Sequence, residues 1–417
     1  MQVFAMTGIK YFFTKTEGIG GKIRHRYADF IVEEIHQEHI CNVEKDSVHA
    51  CLQIPENKEN LEYLHCDLQK TNRDLHDAIR QIARFLHCSS KRIGYAGIKD
   101  KRAITCQRIS IWKPDVEKLK LFRSNSIVLR NAIWQKNAIE LGMLKGNRFT
   151  VTIRNIDLSE DMIKSRIENC FEEMKKGIAN YFGAQRFGGI RKVSHLVGKE
   201  IIKGNYENAV MLYLSSVAPE ESEEVKKARM LAAKREFKDA LNAFPKSYRY
   251  ERIMLHHLLG KKDDFIGALR KLPRKILFLF THAYQAYLFN ELINKRVEHG
   301  IGLNAVENEP SENGIALGLL PGFDSKFSPG EIGRLERELL KAEGIDFSKF
   351  RVKELKECSS AGARRCVAMF PQNMALLSIS DDEFFKGKKC CTITFELEKG
   401  CYATIPLREI TKLEDIA

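Results

Sequence analysis

The chain changes character twice along its length, and this restricts what it can fold into. Up to about residue 182, strand-like and helix-like stretches are interleaved. From about 198 to 299 nearly everything is helix-forming and charge-rich, with few glycines or prolines, and strand patterns return at "CCTITFEL" (390–397). A mixed start and a mixed end around a helical middle predict one α/β domain interrupted by an insertion. The 417 residues leave room for two domains. There is no internal repeat and no long low-complexity segment.

Local patterns fill in this outline. "YADFIVEEI" (27–35) has the β-branched and apolar content of a strand. In "DLHDAIRQIARFLHC" (74–88), Leu75, Ala78, Ile79, Ile82, Ala83 and Leu86 share one helical face, with Asn72 as N-cap and Asp74 suiting the helix start. A short strand ("RIGYAGI"), a charged tip and a second strand ("ITCQRISIW") follow. "NRFTVTIRNI" (147–156) alternates Phe149, Val151 and Ile153 with Thr150, Thr152 and Arg154, the period of a half-buried strand. A helix over 158–176 carries Ile163, Ile167, Cys170, Phe171 and Met174 as its stripe. Asp157 and Glu160 have capping-box spacing there, with Ser159 as a competing cap. Ser328, Pro329 and Glu331 predict a further capped start.

Lys and Arg number 68 against 55 Asp and Glu, a formal charge of +13. Such an excess favours a polyanionic partner, because neutralising phosphates releases condensed counterions. No apolar run approaches the ~20 residues of a bilayer span; "ILFLF" (276–280) is flanked by Arg274, Lys275 and His282. The N-terminal "MQVFAMTGIKYFF" lacks the parts of a signal peptide. Eleven scattered cysteines read as cytosolic thiols, so a cytoplasmic location is expected. No CxxC pair occurs; "HQEH" (36–39), His256–His257, Cys358 and Cys366 lack the paired spacing of a zinc site. No metal or cofactor is expected.

The segment with most chemical content is "YAGIKDKRAITCQ" (95–107). It is not a phosphate loop: after Gly97, Ile98 and Lys99, Asp100 stands where a Ser or Thr hydroxyl would hold magnesium. "GIGG" (18–21) is equally weak as a phosphate cradle. Small residues at Ala96 and Gly97 allow close approach, and a nearby cation would keep Asp100 ionised for work as nucleophile or base. A solvated hairpin tip accounts for the same thirteen residues. Phe149 fits a core strand, or an aromatic platform for an extruded base. "NYFGAQRFGGIR" (180–191) sets Tyr181, Phe182 and Phe187 among Gln185, Arg186 and Arg191, which suits base stacking and phosphate contact or an aromatic-anchored domain junction.

Taken together these segments resemble the TruD family of pseudouridine synthases. "YAGIKDKRAITCQ" is similar to the family signature in which the acid after the lysine is catalytic. "GIGGKIRHRYADFIVEE" resembles the family's N-terminal stretch, with "YADF" in place of the commoner Pro-Glu-Asp-Phe. "LQKTNRDLHDAI" (68–79), "GNRFTVTIRN" (146–155), "NYFGAQRFG" (180–188), "HAYQAYLFN" (282–290) and "GCYATIPLRE" (400–409) follow in the family's order.

The resemblance implies that Asp100 is the catalytic acid, that Phe149 lies against the target base and that Asn147 is a second pocket residue. Arg408 would be the cation paired with Asp100. Lys70, Gln185 and Arg186 would face RNA or shape the pocket, and the lysines beside Asp100 would face the RNA backbone. Pro406 departs from the family's helix former and is compatible with a helix only in its first turn. The implied fold is α+β: a pseudouridine synthase domain with a mixed, mainly antiparallel sheet, in residues 1–182 and 376–417, interrupted by a mostly helical TRUD insertion over 183–375. RNA would lie in a basic cleft between the two. The implied substrate is tRNA, with uridine 13 in the D-arm the usual target; no protein partner and no membrane are implied. Isomerisation of uridine needs no redox cofactor. A non-catalytic RNA binder on the same scaffold would not need the acid of "KDK", and a nuclease would need the metal-holding carboxylates this sequence lacks.

Overall fold

The computed structural model describes residues 7–44, 52–56 and 60–414; the first six residues of the N-terminal stretch considered above lie outside that set. The class is α+β, and the chain divides into two compact units. Among the described residues, one comprises Thr14–Gly177 with 369–414; the other comprises Ile178–Ala368 with 7–13.

The first unit is built on a nine-stranded sheet. Its strands are β1 (Phe30–His36), β2 (His39–Ile40), β3 (Tyr63–Thr71), β4 (Ile93–Tyr95), β5 (Ile104–Trp112), β6 (Ile127–Gln135), β7 (Gly146–Ile156), β8 (Gln372–Asp381) and β9 (Lys389–Glu398). Their order is β8-β9-β7-β1-β5-β3-β6, with β2 on β1 and β4 on β5. Only β1 and β5 run parallel; every other pairing is antiparallel. The strand from the far end of the chain is therefore hydrogen-bonded to one from the first part, with Phe395 opposite Phe149.

Along β3 and β5 one face changes from apolar to polar. Leu64, Cys66 and Leu68 alternate up to Lys70 on β3, and Ile111 and Ile109 lead to Gln107 and Thr105 on β5. The apolar part packs in one core with helix α1 (Leu75–Phe85), through Leu75, Ala78, Ile79, Ile82 and Ala83. The polar part is left for the loop after β4, which carries Asp100.

Helices α1, α2 (Glu160–Met174) and α3 (Thr404–Thr411) belong to this unit, together with a short helix, Val116–Lys120. The predicted stripe of α2 is buried as a set. Two caps differ from expectation. Asp74 caps α1, accepting from the N–H groups of His76 and Asp77, while Asn72 sits in a left-handed turn at φ +48° before it. Ser159 caps α2 by accepting from Met162 N–H, which makes Glu160 the first helical residue. Pro406 lies in the first turn of α3, where its missing N–H has no intrahelical acceptor to lose.

The second unit is mostly helical, its longest helix being Arg274–Glu298. Tyr181, Phe182 and Phe187 are buried in it, the Tyr181 hydroxyl donating to Asn294 Oδ1 at 2.7 Å, so these rings serve packing and not base stacking. Ser328 does not cap the helix Gly330–Glu343: its hydroxyl donates to Glu336. Among the described residues no helix is long and apolar enough to cross a membrane.

Candidate active site

The register aligns a row of side chains from four strands beneath the β4–β5 loop. Lys70 stands opposite Thr105, Thr105 opposite Val32, and Val32 opposite Phe149. One step along, Glu34 stands opposite Asn147, and Asn147 opposite Leu397. Three of these strands hold the loop. Lys99 reaches Glu34 at 2.6 Å; Lys70 Nζ donates to the main-chain carbonyl of Asp100 at 2.6 Å; Gln107 Nε2 donates to Gly97 O at 2.8 Å. At Gly94, just before the loop, the backbone approach is close: an added Cβ would stand 2.3 Å from Ile139 O. Gly97 is roomier: an added Cβ would meet Lys99 Nζ at 3.3 Å and the Leu144 methyls at 3.8 and 3.9 Å, with no backbone atom among them.

With its main chain fixed, Asp100 presents a carboxylate that is 30% exposed, and Arg24 NH2 donates to it at 3.1 Å. The cation expected from Arg408 is thus supplied by Arg24. Arg408 is 2% exposed on α3, a helix in which every residue from Thr404 to Thr411 is buried. Helix α3 holds the segment that leads to Arg24: Glu409 accepts from Thr14 N–H and Oγ1, and Ile19 N–H donates to Ile410 O. Arg24 adopts a left-handed conformation (φ +56°) that the basic run "KIRHR" did not announce. The signal that could have found it is its place six residues before Phe30, across whose ring the guanidinium lies at 4.2 Å.

Those contacts continue to the predicted platform. Phe30 meets Phe149 edge-on at 6.2 Å, and Phe149 stacks on Phe395 at 5.5 Å and 25°. Arg24, Phe30 and Phe149 therefore connect the acid to the aromatic row. Phe149 is only 5% exposed, an aromatic built into the sheet and not a free-standing platform. Asn147 Oδ1 is buried without a hydrogen-bond partner among the described residues, as are Thr105 Oγ1 and Gln107 Oε1. Three orphaned groups on one face, beside a paired acid, mark a place where polar ligand atoms are wanted.

The other expected residues fall elsewhere. Lys70 is wholly buried, so it shapes the loop and does not touch an RNA backbone. Lys99, buried against Glu34, does not face RNA either, whereas Lys101 and Arg102 are exposed. Gln185 and Arg186 lie in the second unit, in a short turn (Ala184–Phe187), with the Arg186 guanidinium 5.7 Å from the Phe182 ring. Burial pulls the Lys70 ammonium down to about 8; Asp100 and Asp74 oppose the fall, and Lys99 adds to it.

One group among the described residues has spacing that could hold a metal: His39, Cys41 and Asp67, with ligand atoms within 4.8 Å of one another. Its carboxylate is already taken, by Arg108 NH1 at 2.7 Å, Asn131 Nδ2 at 2.8 Å and His39 Nε2 at 2.9 Å. Burial also drives the Cys41 thiol far above its ordinary value, which disfavours the thiolate a metal needs. We read it as a buried ion-pair network.

The family model for tRNA pseudouridine synthase D (TruD) matches residues 6–311 and 308–410 of the chain. A protein of Methanosarcina acetivorans named "Probable tRNA pseudouridine synthase D" is 36% identical, over 98% of this chain and 96% of its own. One of the same name from Methanococcus maripaludis is 35% identical, over 97% of this chain and 98% of its own. A crystal structure of a Methanosarcina mazei protein assigned to tRNA pseudouridine synthase D superposes with a TM-score of 0.79 at 34% identity, covering 99% of this chain and 98% of that one.

Proposed function

The chain belongs to the TruD family of tRNA pseudouridine synthases, which are isomerases, and we propose that it converts uridine 13 in the D-arm of tRNA to pseudouridine with Asp100 as its catalytic acid. The observation that carries the assignment to Asp100 is geometric. It is a partly exposed carboxylate held at its main chain by Lys70, paired with Arg24 at 3.1 Å and linked by aromatic contacts to Phe149.

The reaction breaks the bond from ribose C1′ to N1 of the base and makes one from C1′ to C5. C5 loses its hydrogen and N1 gains one, so reactant and product are isomers. Asp100 acts on the ribose, as a nucleophile at C1′ or as a base that leads to a glycal. Both routes use the ionised carboxylate, which is the form Arg24 pairs with. The uridine must first leave its stack, at a cost of a few kcal/mol. Phe149 supports one face of the base, and stacking leaves it free to turn about the ring normal. Asn147 Oδ1, an acceptor without a partner, is suited to a uracil N–H. In this reading the mostly helical unit Ile178–Ala368 contains most of the TRUD insertion expected over 183–375, and Gln185 and Arg186 contact the RNA from it.

Release of tritium from [5-³H]uridine-labelled tRNA tests the reading, since C5 gives up its hydrogen only on isomerisation. The wild-type chain should release it. Asp100→Asn should not, while binding tRNA about as tightly. Substantial release by the variant would remove Asp100 from the role, and no release by the wild type would favour an RNA binder that has kept the scaffold.

A further inference from the structure

Two buried lysines serve the same loop, Lys99 from within it and Lys70 from β3 beneath it, and they are compensated differently. Lys99 has a carboxylate, Glu34, at 2.6 Å. Lys70, none of it exposed, has no acidic oxygen within 4.0 Å among the described residues; its one hydrogen-bond acceptor is the main-chain carbonyl of Asp100. Burying an ammonium costs several kcal/mol unless it is paired, so an unpaired one is weak material for stability. Its position is fixed: on β3, Lys70 lies opposite Thr105 of β5 and Ile127 of β6. Such a cation, beside a loop that carries an acid, is a mark of a functional site.

We propose that Lys70 is a positioning residue of the isomerisation: its ammonium anchors the Asp100 carbonyl while Arg24 holds the carboxylate, clamping the acid at both ends. This rests on the assignment of Asp100 to the chemistry. Lys70 acts through Asp100, because its burial keeps it out of reach of the RNA. Gln107, on the next strand, serves the same loop by holding Gly97 O.

The charges facing Lys70 are Asp74 from the start of α1, and Asp100 and Lys99 from the loop; Arg24 and Glu34 act at one remove, through Asp100 and Lys99. With its proton held only up to about pH 8, the ammonium becomes a neutral amine above that point. The amine still donates to the carbonyl, but the buried charge beside the acid is gone. The clamp is therefore complete below about pH 8 and weakened above it.

The test is kcat and KM for tRNA, across pH, for the wild type, Lys70→Met and Lys70→Arg. Lys70→Met should lower kcat by on the order of a hundredfold, the cost of a misplaced group, with KM within about twofold. The wild-type kcat should fall as pH rises past about 8; that limb should vanish in Lys70→Met and move to higher pH in Lys70→Arg, which should recover part of the rate. A raised KM with kcat retained would make Lys70 an RNA contact and overturn the proposal. So would a limb unchanged in both variants. If Lys70→Met does not fold, as its melting curve would show, the limb in Lys70→Arg decides alone. A wild type that releases no tritium, or an active Asp100→Asn, overturns the catalytic assignment instead. The Lys70 proposal fails by itself when Asp100→Asn is dead and the Lys70 variants keep their kcat.

Discussion

Arg24→Met removes the guanidinium from Asp100 and leaves an unbranched apolar chain to lie over Phe30, so it separates charge from packing. We predict a loss of turnover of at least about tenfold, since a charge-assisted bond to an ionised group contributes about 1.5–3 kcal/mol. Steady-state kinetics with tRNA check this; unchanged kcat would dissociate the pair from the chemistry. Phe149 calls for a gentler change, because Phe→Ala in a core costs about 3–5 kcal/mol and would mix folding with function. Phe149→Leu keeps most of the volume and loses the stack on Phe395. Its kcat should fall several-fold more than that of Phe395→Leu, made as a packing control. At this scale the family resemblance, and not local composition, singled out Asp100 and Phe149, and the structure connects them through Arg24 and Phe30. The resemblance misplaced the cation. Arg408 and Arg24 are both arginines in family-like segments, and only the left-handed turn at residue 24 and the burial of α3 decide between them.

Among the elements, buried ion pairs tie the sheet and its flanking turns together: Asp67 with Arg108, and Asp29 and Asp382 with Arg154. Burial alone would raise these carboxyls; the hydrogen bonds from Asn131 and Arg108 to Asp67, and the partners of Asp29 and Asp382, hold all three below the ordinary carboxylate value. A depressed value means stability that is present above pH ~4 and lost as pH falls through the lower folded value. Asp67→Asn leaves Arg108 buried without its anion and should cost about 3–5 kcal/mol at neutral pH. Its melting temperature should also fall less steeply than the wild type's below pH ~4. An equal acid dependence in both proteins would contradict this. Strand and helix positions were legible because period 2 in β7 and the apolar stripe of α2 each match a buried face. Caps were less so: Asn72 and Asp74, or Asp157 and Ser159, are equally good capping types, and backbone conformation chose. The pairs of Asp67 with Arg108 and of Asp29 and Asp382 with Arg154 left no trace in spacing, since the partners are distant in sequence; only Asp29 has a local arginine as well, Arg26.

For the molecule as a whole, the informative feature was the double change of character. β9, from the last part of the chain, pairs with β7 from the first, and brings Phe395 onto Phe149. The formal charge of +13 suits a polyanionic substrate but carries no information about which nucleotide is chosen. The central claim is that Asp100 converts one uridine of tRNA to pseudouridine, and nucleotide-resolution pseudouridine mapping of tRNA tests it most directly. After incubation with the wild-type chain, position 13 should be modified, and after incubation with Asp100→Asn at equal RNA occupancy it should not. Modification at position 13 by both proteins, or at that position by neither, would contradict the account.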